Sequence, residues 1–132
     1  MARKSYDEDR VQIAICNYLR LLGYVFTFTG GGMIKDFRTQ KTANRLGFLK
    51  GVSDLIVWIP GGTVCIEVKK PATYRWSDRL KRLVIDKAAG DQTDEQIEFE
   101  KVVTSLPGQH YVVAKSVDDV DKYFKENKIS PK

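Results

Sequence analysis

Sulfur and imidazole are scarce in this chain, which has two cysteines and one histidine in 132 residues. Cys16 and Cys65 sit among apolar neighbours and read as buried thiols, not as a disulfide framework. A lone His110 leaves a structural zinc site short of soft ligands. Long apolar runs are missing as well. The longest, Leu55 to Ile59, is five residues, against the ~18–20 that a membrane helix needs. Arg3 and Lys4 are followed by Asp7, Glu8 and Asp9 and not by an apolar stretch, so no secretion signal is expected and the setting reads as cytoplasmic. Repeats and low-complexity segments are absent too. With 42% hydrophobic and 30% charged residues the chain is ordinary for a globular protein, which excludes a disordered or collagen-like one. Its length suits one core and not two, so residues 1–132 are read as a single domain.

The charge is unevenly spread. The net value is +5, yet residues 33–50 carry five basic side chains and one acidic, and residues 70–90 carry six and two. Between them, residues 51–69 hold only Lys69 against Asp54 and Glu67, and the tail from 91 onward is net acidic. Two basic segments flanking a nearly uncharged stretch form an electrostatic footprint for a polyanion, most often nucleic acid. Two solvated basic faces would produce the same count.

Ser5-Tyr6-Asp7-Glu8 has the form of a capping box, and Val11, Ala14, Ile15, Tyr18, Leu19 and Leu22 follow at helical spacing to Gly23. A helix is predicted over 6–22. Tyr24 to Thr29 reads as a strand ended by Gly30-Gly31-Gly32. In 33–50, Lys35, Arg38, Lys41 and Arg45 share one face if the segment is helical, and a flexible basic loop fits the sequence equally. Asp54 to Ile59 and Thr63 to Lys69, separated by Pro60-Gly61-Gly62, read as a hairpin. Ser77 is expected to cap a helix running to Ala89, with Leu80, Leu83, Val84 and Ala88 inside. Thr93-Asp94-Glu95-Gln96 opens a further helix that Pro107-Gly108 ends. A strand over Tyr111 to Ala114 and a helix capped by Ser116 complete the order, which implies an α/β fold with a central sheet covered by helices.

The hairpin gathers charge. If its turn centres on Gly61-Gly62, Asp54 lies opposite Lys69, Ile56 opposite Glu67 and Trp58 opposite Cys65. Asp54, Glu67 and Lys69 then share one sheet face, with the two carboxylates diagonal neighbours at ~7–8 Å. Leu55, Val57, Ile59, Val64, Ile66 and Val68 make the other face apolar. Charges on strands of a small core are costly unless paired or bound. Two converging acids suit a hard divalent cation such as magnesium, and a lysine beside them suits metal-assisted hydrolysis of a phosphodiester. A lysine neutralised by two acids at a sheet edge is the other reading the geometry allows.

Gly51-Val52-Ser53-Asp54, a hairpin and then Glu67-Val68-Lys69 resemble the PD-(D/E)XK nuclease signature. More narrowly, GVSDLIVWIPGG, then IEVKK, then Thr93-x-x-Gln96 on a following helix resemble the VRR-NUC (virus-type replication-repair nuclease) family. Glu8 and Gln12 on the leading helix fit the same pattern, and the resemblance runs from about Tyr6 to Phe124. It implies a PD-(D/E)XK nuclease core: a small mixed β-sheet flanked by helices. It also implies that Asp54, Glu67 and the main-chain carbonyl of Val68 bind Mg²⁺, with Mn²⁺ as a substitute. By the same resemblance Lys69 handles the attacking water and transition-state charge, Gln96 orients water or phosphate, and Glu8 reaches the site from helix one. Gln96 and Glu8 each hold the fourth position of a capping box, so each has a cap role available beside a site role.

Two departures stand out. Ser53 occupies a position where the family commonly has proline. Residues 70–90 exceed the short link expected between the ExK triplet and the helical glutamine. Lys70, Arg75, Arg79 and Arg82 there, with Lys35, Arg38, Lys41, Arg45 and Lys50 upstream, are candidates to grip DNA phosphates. Trp76 is a candidate to stack on or wedge beside a base. Alternatively, Trp76 and the apolar side of its helix pack on the core or on a partner subunit.

The expectation is a stand-alone, phage-type DNA endonuclease that leaves 5′-phosphate and 3′-hydroxyl ends and uses no nucleotide cofactor or membrane. Stand-alone members of the family resemble Holliday-junction resolvases, which implies a homodimer on branched DNA. A lone domain has no other module for substrate recognition, which favours a symmetric dimer. A flap- or duplex-cutting enzyme of the same fold and a non-cleaving DNA-binding protein are the alternatives.

Overall fold

The computed structural model describes residues 6–30 and 37–132, without the side chains of Tyr6, Phe37, Arg38 and Gln40. The Ser5 cap, the end of the triple-glycine break, Lys35 and the Arg38 side chain lie outside the described residues. The chain opens with α1 (Tyr6–Leu21), which carries Asp7, Glu8 and Asp9 in its first turn, where acids complement the helix dipole. Gly23, at φ 84°, closes it: its N–H donates to Arg20 O and the Tyr24 N–H to Leu19 O, a Schellman pair. Strand β1 (Val25–Phe28) follows, then α2 (Phe37–Arg45), which settles the basic segment as helical over that span.

Strands β2 (Leu55–Ile59) and β3 (Gly62–Val68) form the expected hairpin, in a register two residues away from the expected one. Ile56 faces Cys65, Trp58 faces Thr63 and Ile59 faces Gly62, so the turn is Pro60-Gly61. Gly61 at φ 82° takes the left-handed place that follows proline in such turns. A slip of two preserves parity, so each side chain stays on its expected face. It moves Asp54 from the diagonal of Glu67 to the position just past the Leu55–Ile66 pair.

The segment after β3 departs from expectation. No helix runs from Ser77 to Ala89; β4 (Thr73–Ser77) and β5 (Arg82–Lys87) pair as a separate two-stranded hairpin. Ser77 does cap a turn, its Oγ accepting the Leu80 N–H at 3.1 Å, but Lys81 at φ 53° leaves the helical region and turns the chain back. Alternation of Tyr74 and Trp76 with polar residues is the strand period, and Leu83 and Ile85 repeat the spacing of two around Val84. Of the four residues expected inside the helix, Leu80, Leu83 and Ala88 are exposed and Val84 is half-buried.

Helix α3 (Asp94–Thr104), strand β6 (Gln109–Ala114) and helix α4 (Val117–Glu126) complete the fold. The main sheet runs β1-β2-β3-β6, antiparallel except for the parallel β3–β6 pair, whose crossover includes α3. Leu55, Val57, Val64, Ile66, Val68 and Ala114 bury one sheet face against Ile15 and Leu19 of α1 and Val120 and Phe124 of α4. Each such Val, Leu, Ile or Phe contributes roughly 1.5–3 kcal/mol by leaving water. The other face packs Cys65 and Tyr111 against Val103 and Phe99 of α3. No helix among the described residues is long and apolar enough to cross a membrane.

Candidate active site

Three pieces of chain meet at the end of β3. The first is the loop Gly51–Asp54. Gly51 holds φ 89°, and a Cβ there would stand 2.4 Å from the main-chain oxygen of Glu95, so the loop backbone lies against the first turn of α3. Side chains refuse both the conformation and the contact. Ser53, fully buried, donates its hydroxyl to Leu55 O at 3.1 Å, while Thr29 Oγ1 donates to Ser53 O at 2.7 Å and Thr29 N to Asp54 O at 2.9 Å. Hydrogen bonds thus hold this turn where a proline would restrict it. β2 stops at Leu55, and the Val68 amide, past the last ladder pair, donates to Asp54 Oδ2 at 2.8 Å. The carboxylate is fixed at the strand end by a charge-assisted bond.

The second piece is β3 itself. Glu67 is 2% exposed and Lys69 8% exposed. The third is the start of α3, where Thr93 and Gln96 make a complete capping box: Gln96 N donates to Thr93 Oγ1 at 3.3 Å and Thr93 N to Gln96 Oε1 at 2.9 Å. The same Gln96 side chain donates from Nε2 to Glu67 Oε1 at 2.8 Å and accepts from Lys69 Nζ at 2.8 Å. Cap and site are therefore one interaction, and the helix terminus aims the amide at the buried pair. Lys69 Nζ stands 3.7 Å from Glu67 Oε1. Glu67 Oε1 and Lys69 Nζ are thus partnered by protein groups and not by solvent.

The field of Glu67 is felt nearby. The Tyr111 phenol is pushed up from its ordinary value, first by burial and then by the Glu67 carboxylate. Gln92 Nε2 donates to Tyr111 Oη and to Glu100 Oε1, each at 3.3 Å. Burial likewise raises the Cys65 thiol, which disfavours its thiolate. Gln92, Tyr111 and Thr29 were not singled out from sequence; nothing in their spacing announces them, since they meet the site only through the sheet register and the α3 approach.

Glu8 is half-buried in the first turn of α1, a helix that packs on β3. One turn on, Gln12 buries Oε1 with no hydrogen bond among the described residues. Among those residues no group of three or more His, Cys, Asp or Glu side chains is placed to hold a metal ion. A cation at this end of β3 would therefore rest on Asp54, Glu67, the Val68 carbonyl and water, an all-oxygen set that suits Mg²⁺ and its retained waters.

The candidate phosphate contacts are distributed differently. Lys41 and Arg45 are exposed on α2, with Arg38 at the preceding position of the same helical spacing. Lys50 pairs with Glu95 at 3.2 Å, which helps hold that carboxyl below its usual range after a backbone hydrogen bond at its own position. Lys70 is half-buried beside the centre, and Arg75, Arg79 and Arg82 are exposed on the β4–β5 hairpin, Arg75 lying 3.7 Å from Asp86. Trp76 projects from that hairpin 57% exposed and is not part of the core.

The fold is α/β, a small mixed sheet flanked by helices, with a carboxylate–lysine–glutamine centre at the edge of one hairpin. A solved structure described as a VRR_NUC domain protein shares the fold: TM-score 0.57, 24% identity, covering 93% of this chain and 88% of that one. No family model and no curated protein matches the chain.

Proposed function

We propose that this chain is a divalent-metal-dependent DNA endonuclease. The observation that carries the reading is the junction of Asp54, Glu67, Lys69 and Gln96 at one end of β3, all held by hydrogen bonds to neighbouring elements. The fold shared with a VRR_NUC domain protein supports it. Asp54, Glu67 and the Val68 carbonyl would hold Mg²⁺ or Mn²⁺, which when bound neutralises phosphate charge and makes water a better nucleophile. Lys69, a fixed ammonium beside the carboxylates, stabilises negative charge developing on the phosphoryl oxygens. Gln96 keeps Lys69 and Glu67 in register and presents an amide to water or phosphate. Glu8 joins from α1. Water oxygen bonds to phosphorus, the bond to the 3′ oxygen breaks, and that oxygen takes a proton, leaving 5′-phosphate and 3′-hydroxyl ends.

The exposed cations of α2 and of the β4–β5 hairpin would contact the phosphates flanking the cut, giving steeply salt-dependent binding. A homodimer acting on four-way junctions is the finer form of this reading, since two copies of one site suit the symmetry of such a junction.

The test is cleavage of a labelled four-way junction beside matched duplex and flap DNA, with Mg²⁺, Mn²⁺ or EDTA and with Asp54→Asn as control. Paired, metal-dependent nicks on the junction, absent in the control, are the expected result. Equal cutting of duplex or flaps removes the junction preference and keeps the nuclease. Binding without any cutting by a folded protein overturns the reading.

A further inference from the structure

The β4–β5 hairpin stands out from the body of the protein as an arm with an uncovered face. Its register pairs Tyr74 with Ile85 and Trp76 with Leu83, so these four side chains share one side. They are 62, 61, 57 and 62% exposed, respectively, and no other described helix or strand packs on the arm. We propose that this face is a stacking platform for unpaired nucleobases, and that it selects scissile phosphates lying next to unstacked DNA. The selection of substrate rests on the nuclease reading above; the binding does not.

Three features favour bases as the occupant. The arm from 73 to 87 has five basic and two acidic residues, so an identical arm laid against it would meet like charge, whereas a phosphate polymer meets opposite charge. An aromatic face rimmed with cations is the arrangement that tracks single strands, because every base has a π-face and every nucleotide a phosphate. Finally, alternate strand residues stand ~7 Å apart, so the spacing of Tyr74 and Trp76 corresponds to two base rises of ~3.4 Å and admits one base between the rings. A duplex keeps its base faces in its own stack. Gaps, flaps and frayed branch points expose them.

Location ties the platform to the centre. Gly90 N donates to Lys70 O at 3.1 Å, closing the arm's base at the residue next to Lys69. A five-residue strand extends about 17 Å, so a base held on the arm lies within about that distance of the arm's base, which joins β3 just past Lys69.

The experiment measures binding in EDTA, using the full chain with a labelled oligothymidine strand and with a blunt duplex of equal length. Trp76→Ala is expected to lower the ratio of single-strand to duplex affinity on the order of tenfold to a hundredfold, the size of one stacked base, and Trp76→Phe to restore most of it. With Trp58→Phe leaving Trp76 as the remaining tryptophan, the single strand should quench its emission and the duplex should not. An unchanged ratio, or absence of selective quenching, overturns the proposal. So does a dimer that becomes a monomer on Trp76→Ala in sedimentation, since the face is then an interface between copies. Because no metal is present, a protein that binds as expected yet never cuts would refute the nuclease and leave the platform standing.

Discussion

Two antiparallel hairpins of similar size sit within the same stretch of chain, and they do opposite things. In β2–β3, Val64, Ile66 and Val68 are buried under α1 and α4, and the strand ends where Glu67 and Lys69 must be held. In β4–β5 no other described helix or strand packs on the pair, Ser77 alone of its strand residues is buried, and the largest side chains face solvent. Burial is what converts a strand into a ruler. A two-stranded ribbon alone in water is marginal, so it is suited to adapting to a ligand and not to fixing a reacting group.

The contrast can be broken most severely at the centre. Glu67→Gln and Lys69→Ala are each expected to lower metal-dependent cleavage about 10²–10⁴-fold, read as single-turnover rate on DNA. Lys69→Ala with wild-type rate would remove the lysine from the chemistry. Core and arm should next separate in urea denaturation. Ile66→Ala should cost about 2–5 kcal/mol and Leu83→Ala no more than ~0.5 kcal/mol, and equal losses would mean that the arm packs on something in solution. Gly51→Ala should cost about 1–3 kcal/mol and slow cleavage, since the loop bearing Asp54 must back away from Glu95. A silent Gly51→Ala would show that the approach of loop and helix does not position the acid.

A smaller effect than those at the centre lies away from both hairpins. Tyr18 Oη donates to Asp121 Oδ1 at 2.8 Å between α1 and α4, and burial first, then that bond, raises the phenol above its ordinary 10.0. The folded chain then keeps a proton that the unfolded chain gives up. Its contribution is complete below pH 10.0 and declines as pH climbs toward the folded-state value. Tyr18→Phe should lose about 1 kcal/mol near neutrality and show a shallower alkaline decline in urea midpoint. A parallel decline would remove Tyr18 as the source.

Legibility followed burial. The faces of β2–β3 could be read because a buried strand tolerates only one alternation of apolar and polar residues, and a register slip of two leaves that alternation unchanged. Gln96 could be placed because a capping box fixes where its side chain starts. What it reaches, Glu67 and Lys69 at once, depends on Gly51 letting α3 approach, a contact distant in sequence. The arm was unreadable for the converse reason. Leu80, Leu83, Val84 and Ala88 match a helical period, Tyr74 with Trp76 and Leu83 with Ile85 match a strand period, nothing nearby selects between them, and Ser77 caps a turn in either case.

The clasp between Gly90 and Lys70 has a consequence for how such a protein changes over time. It brings the two ends of the arm as near as neighbours in a tight turn, so the intervening residues form a cassette whose loss or exchange leaves β3 and α3 joined in the same way. On the proposed function, the residues that would cut and those that would choose what to cut are then inherited on separable pieces, and a lineage can rewrite one without renegotiating the other.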